Sequence, residues 1–180
     1  MDIPTRDRPL PADWSVRRGR DAYLAENGFT VEAYDDPTTE ATAYGVTIHV
    51  PNTPKHRWAI MLHDLHHVVT GYGTDPAGEG EVSAWEAQRG MKPLGLYVGA
   101  IVTYGCATGL VLAPRRTLAA WRVAASSDAP SLYAEPFGPY EALLDLTIGE
   151  LRERLGVPRG GLNPHPRALH HGAPRPSAAL

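Results

Sequence analysis

The sequence predicts a mainly α-helical protein, a single-domain bundle with a metal site on an antiparallel helix pair. Three observations carry this. Two matched helix-start signals, Thr53-Pro54 and Asp75-Pro76, each open a run that ends at a glycine, Gly71 and Gly90. An uncharged segment of 20 residues, Leu94 to Ala113, lies between Pro93 and Pro114. Leu144, Ile148, Leu151 and Leu155 form one apolar stripe at helical spacing.

In chain order, the first helix is expected from about Asp13 to Asn27, with Asp13 or Ser15 as N-cap and Gly28 as stop. The Thr-, Val- and Tyr-rich stretch 29–50 has two β-leaning runs, Thr30 to Tyr34 and Tyr44 to Val50, around an Asp35-Asp36-Pro37 turn. It reads as an extended arm or a small hairpin. Helices are then expected from Pro54 to Gly71, from Pro76 to about Gly90, and over the uncharged segment, whose composition favours a buried central helix over a membrane span. A short helix is expected over Thr117 to Ala125, and an amphipathic one between Gly138 and Gly156, with Glu150 and Arg154 paired on its polar side. The domain is expected to cover 1–156, and the Pro-, Gly- and Ala-rich stretch 157–180 to form a flexible tail.

A chain of 180 residues with 43% apolar and 21% charged residues has the makeup of one soluble globular domain. Its net charge of −3 gives no general attraction to nucleic acid. The single cysteine, Cys106, excludes an intramolecular disulfide and fits a reducing compartment. With no signal- or transit-peptide pattern at the N-terminus, the expected location is the cytoplasm, with peripheral contact to the inner face of the membrane as a further option.

Chemistry is concentrated in H-D-L-H-H-V-V-T-G-Y-G-T-D-P-A-G-E, His63 to Glu79. At about 100° per residue, His63, Asp64 and His67 share one helix face, and His66 turns to the other side of His63. His67 precedes Gly71 by four residues and Glu79 follows Asp75 by four. An antiparallel turn between them sets both about one turn, roughly 6 Å, above the link. His63, Asp64, His67 and Glu79 are thus the expected ligands of one divalent metal ion. Two neutral imidazoles and two carboxylates balance its charge, and the donors suit zinc first, then iron or manganese. Glu86, seven residues after Glu79, lies on nearly the same face and is a candidate partner or proton carrier beside the metal; His66 is a second candidate for moving protons. Glu81 points away and reads as a surface charge. Arg17, Arg18 and Arg20 read as a solvated face, with lipid head groups as the functional alternative.

At these residues the chain resembles the coenzyme Q (ubiquinone) biosynthesis protein four family. Its hallmark, H-D-x-x-H, eleven residues, then E, appears here as His63-Asp64-Leu65-His66-His67, Val68 to Gly78, Glu79. The resemblance spans about Pro51 to Gly90. It implies a mainly helical, dimeric, peripherally membrane-associated protein that binds a prenylated quinone precursor or isoprenoid lipid. The implied reaction is oxidative decarboxylation at ring C1, and the implied partners are other enzymes of quinone biosynthesis. Two other functions compete with this one. One is a non-catalytic prenyl-lipid-binding scaffold; the other is a metal phosphohydrolase of the His-Asp type, for which His56 and Asp145 would have to join the His63-Asp64 dyad.

Overall fold

A computed structural model describes residues 9–43, 46–134 and 139–165. Ser15 opens α1 (Val16–Glu26) by accepting a hydrogen bond from the Arg18 amide, and Gly28 follows its end at φ 75°. The Thr30–Tyr34 run is not a strand. Residues Val31–Asp35 form a 3-10 turn, and the hairpin lies one step later, with β1 (Thr38–Ala43) antiparallel to β2 (Val46–Pro51). Its register pairs Thr38 with Pro51 and Ala43 with Val46. The Asp35-Asp36-Pro37 turn therefore precedes the sheet. Asn52 fastens it by donating to the Tyr34 and Asp36 carbonyls.

Both helices of the central pair begin and end where their caps predict. Thr53 Oγ1 accepts from the His56 amide at the start of α2 (Pro54–Thr70), and Gly71 closes it in the left-handed conformation at φ 78°. Asp75 caps α3 (Pro76–Arg89) by accepting from the Gly78 amide at 3.1 Å. A Cβ at Gly78 would collide with the Gly73 backbone, so the link between the helices closes tightly only with glycine there.

Then come α4 (Gly95–Leu112) and α5 (Pro114–Ala125), the latter opening at Pro114, three residues before the expected start. α3 packs against both, and α4 approaches it backbone to backbone at Gly80 and Gly109. α4 is not the buried centre of the bundle. Val98, Val102 and Gly109 face inward, whereas Leu96, Tyr104 and Val111 are exposed. Its uncharged sequence marks an apolar segment but not which faces find partners, and α3 and α5 cover only one.

Residues 139–156 hold two helices, α6 (Tyr140–Leu144) and α7 (Ile148–Arg154). The break is a capping box: Thr147 Oγ1 accepts from the Glu150 amide, and the Glu150 carboxylate accepts from the Thr147 amide. Glu150 thus caps a helix, while the predicted stripe holds, with Leu144, Ile148, Leu151 and Leu155 all buried. The chain beyond 156 begins by docking onto the end of α2. Val157 is buried, the Leu162 amide donates to the Thr70 carbonyl, and Asn163 donates to that of Gly71. Residues 166–180 of the expected tail lie outside the described residues.

Candidate metal centre

α2 and α3 run antiparallel, because His67 meets Glu79 near the link while His63 meets Glu86 further along. His63 Nε2 and His67 Nε2 stand 3.1 Å apart. Glu79 brings Oε2 to 3.2 Å from the first and Oε1 to 3.5 Å from the second. One ligand atom from each of the three residues lies within 4.8 Å of the others, so His63, His67 and Glu79 can hold a metal ion.

The second nitrogen of each ring decides what the first offers. Glu86 is fully buried, and despite that burial the charge and hydrogen bonds of His63 and His66 hold its carboxyl far below the usual range. Its ionised Oε1 only accepts, so His63 Nδ1 donates to it at 2.8 Å. His67 Nδ1 likewise donates to the Tyr72 carbonyl at 3.1 Å. Both Nδ1 atoms are committed as donors, so in the neutral rings both Nε2 atoms carry lone pairs aimed at one point beside a carboxylate. Such a cluster requires a cation. Without a metal that cation is a proton. Burial opposes charge on His63, but the Glu86 and Glu79 carboxylates outweigh it and push this imidazole well above its usual value. Burial also opposes charge on Glu79, but His67 and His63 hold it at about 2.

His66, expected as a weaker candidate on the other side of the helix, is wholly buried and has a defined tautomer. Its Nε2 accepts from the Leu132 amide at 2.9 Å, so its Nδ1 carries the hydrogen and donates to Glu86 at 2.6 Å. Burial keeps this ring below the usual imidazole range, against the pull of Glu86. Tyr133 adds a third donor to the same Glu86 oxygen at 2.8 Å, while Glu86 Oε2 has no hydrogen-bond partner among the described residues. Glu86 is therefore the interior anchor of His63.

The chain matches no protein-family model, no curated protein and no solved structure.

Asp64 stands outside the group of three, and its Oδ2 accepts from the Tyr34 hydroxyl at 2.5 Å. Burial raises its carboxyl, and the Tyr34 bond partly offsets that. Helix phase places Asp64 beside His63, but the 3-10 turn supplies the donor that claims it. Glu81 is no surface charge. It is buried and held by Arg116 of α5, with Nη2 to Oε2 at 2.6 Å. Arg17 pairs with Glu141 and Asp145 at the surface and Arg18 lies over the Trp14 ring, but Arg20 is buried against Asp21 and Tyr140, so the three do not form one solvated face. Asp145 is held at the surface by Arg17 and His56 packs on Tyr97; neither belongs to the possible metal-ligand group among the described residues.

Sequence reasoning missed the tyrosines. Tyr23 stacks on His67 with ring centroids 5.4 Å apart, Tyr34 holds Asp64, and Tyr133 reaches Glu86 from the segment after α5. None shares a motif with the ligands; only the fold brings them together.

Proposed function

We propose that this chain is a divalent-metal-dependent enzyme acting on the ring of a prenylated aromatic precursor in quinone biosynthesis, at the oxidative exchange of the C1 carboxylate for a hydroxyl, in which the carboxylate leaves as CO2 and dioxygen with a two-electron reductant, as co-substrates, supplies the hydroxyl oxygen and leaves its other oxygen as water. The observation that carries the metal is the pair of Nε2 lone pairs, each fixed by a hydrogen bond on the far side of its ring, meeting Glu79 at one point. The H-D-x-x-H, eleven residues, E pattern supports the substrate class. Nitrogen and carboxylate donors without a thiolate suit zinc, with iron or manganese as other occupants. Three protein ligands leave room for one from the substrate.

Bound there, a divalent ion supplies Lewis-acid stabilisation of charge on a carboxylate or phenolate. The protein's own groups orient and shield. Glu86 and the Tyr72 carbonyl fix the two rings, Tyr23 covers one face of His67, and Asp64 with Tyr34 places a hydrogen-bonding pair beside the ligands.

The test joins elemental analysis to turnover of a prenylated hydroxybenzoate. One metal per chain is expected, and His63→Ala or Glu79→Ala should abolish both metal and turnover. Metal-free protein with undiminished turnover would sink the reading. A second reading, a non-catalytic prenyl-lipid scaffold, draws on the exposed apolar side of α4. It requires co-purifying lipid and no turnover by fully loaded protein.

A further inference from the structure

A helix leaves its last carbonyls without partners of its own, and those of α2 lie beside the metal centre. The Gly71 amide closes the helix on the His67 carbonyl, so the carbonyls of Val68, Val69, Thr70 and Gly71 need donors from elsewhere. Residues 152–163 supply them. Buried Arg152 of α7 donates from Nε to the Val69 carbonyl at 2.9 Å and from Nη2 to that of Val68 at 3.5 Å. The Leu162 and Asn163 amides donate to the Thr70 carbonyl at 2.7 Å and 3.2 Å, and Asn163 Nδ2 donates to that of Gly71 at 2.8 Å. Asn163 Oδ1 accepts from the His165 amide at 3.0 Å, which fixes the side-chain amide with its nitrogen towards Gly71.

The approach is close. Gly161 sits at φ 80°, and a Cβ there would stand 2.9 Å from the Thr70 carbonyl oxygen. A stretch whose composition reads as a loose tail therefore begins as a strap across the end of α2.

What the strap holds bears on His67. The peptide plane joining Gly71 to Tyr72 is gripped at both edges. Its carbonyl accepts from Asn163, and its N–H, that of Tyr72, donates to Thr70 Oγ1 at 3.3 Å. The next carbonyl, that of Tyr72, accepts from His67 Nδ1 and leaves Nε2 as the lone-pair nitrogen facing His63 and Glu79. Burial of the Tyr72 side chain anchors the residue but leaves the direction of its carbonyl to the backbone. Gly71 precedes this plane at φ 78°, and a glycine moves readily to other conformations. Without Asn163 the plane keeps only the longer Thr70 bond, and the Tyr72 carbonyl is free to turn from the ring.

We infer that Asn163 is a positioning residue of the metal centre: it locks the Gly71–Tyr72 peptide and, through the Tyr72 carbonyl, keeps His67 in the tautomer that can bind a metal ion. The inference rests on the reading of His67 as a ligand, although the tautomer itself is measurable in metal-free protein.

The test uses the full chain with Asn163→Asp, which keeps the side chain's shape and its bond to the His165 amide but sets an acceptor against the Gly71 carbonyl. Zinc affinity, from competition with a chelator, should fall about ten-fold. In metal-free protein the ¹⁵N shifts of the His67 ring should move towards a mixture of tautomers, while those of His63, held by Glu86, stay unchanged. Asn163→Ala removes the donor without adding repulsion and should give a smaller change in the same direction. As a control, Ala120→Gly lowers stability through helix propensity on α5, which packs on α3 and α4 away from the strap. Its zinc affinity and His67 shifts should match the wild type. Unchanged affinity and His67 shifts in Asn163→Asp overturn the inference, even if the melting temperature falls. An equal change in Ala120→Gly also overturns it, because the effect would then be one of overall stability. A wild-type chain that binds no zinc sinks the metal reading instead, and the His67 shifts still decide whether Asn163 holds the tautomer.

Discussion

At the scale of single residues, Glu86 decides the quality of the centre. Its Oε1 receives three donors, and one of them fixes which nitrogen of His63 carries the hydrogen. Glu86→Ala should let His63 populate both neutral tautomers and weaken metal binding by about 10- to 100-fold. Competition with a chelator and ¹⁵N shifts of the His63 ring in metal-free protein measure the two effects. Glu86→Gln, whose oxygen can still accept from His63, should keep the tautomer and most of the affinity. Loss of melting temperature in Glu86→Ala with unchanged tautomer and affinity would make Glu86 a packing residue only. His63, His67 and Glu79 were legible because caps at Thr53, Gly71 and Asp75 fix the helix phase and the height of each residue above the link. Asp64 falls outside the group of three because phase gives direction only, and its partner Tyr34 comes from a turn thirty residues away.

Among the elements, the α3–α4 contact is the least tolerant. A Cβ on Gly109 would meet the Gly80 backbone at 2.5 Å and Thr117 Oγ1 at 2.7 Å, and backbone cannot move aside as a flexible side chain can. Gly109→Ala should therefore destabilise the protein by about 1–3 kcal/mol, despite alanine's better helix propensity, as thermal or urea unfolding would show. An unchanged or raised midpoint would contradict the contact. At the other end of the chain, Thr147→Ala removes a capping box and should cost about 1 kcal/mol. That box shows why 138–156 reads as one helix in sequence and folds as two. The apolar stripe continues through the break, so periodicity does not reveal it, although the Thr147-x-x-Glu150 spacing is visible.

For the molecule as a whole, pH and metal act on stability in opposite directions. The His63 imidazole binds its proton more tightly when folded, so its contribution is complete below the ordinary value of 6.5 and fades as pH rises through the higher folded value. Glu79 is depressed from 4.5 to about 2, so its contribution is complete above 4.5 and fades as pH falls towards 2. From these two groups, metal-free protein should be most stable between those ordinary values. A metal ion displaces the His63 proton and binds more tightly as protons become scarce. The difference in melting temperature between loaded and metal-free protein should therefore widen from about pH 6 to about pH 8. A difference that narrows over that range would show that the metal does not bind at His63.

The sequence by itself determined the local features: a helical fold, the caps of the central pair, and the placing of His67 and Glu79 at one height across a tight link, with His63 one turn further along the same face. Those follow from backbone geometry and the chemistry of neighbouring residues. Only the tertiary structure decided which polar groups those residues meet. Tyr34 claims Asp64, the Leu132 amide and Tyr133 lock His66 and Glu86, and Arg116 buries Glu81. It also left one side of α4 uncovered. Each depends on contacts between segments far apart in the chain, and helical periodicity carries no information about which distant segment arrives.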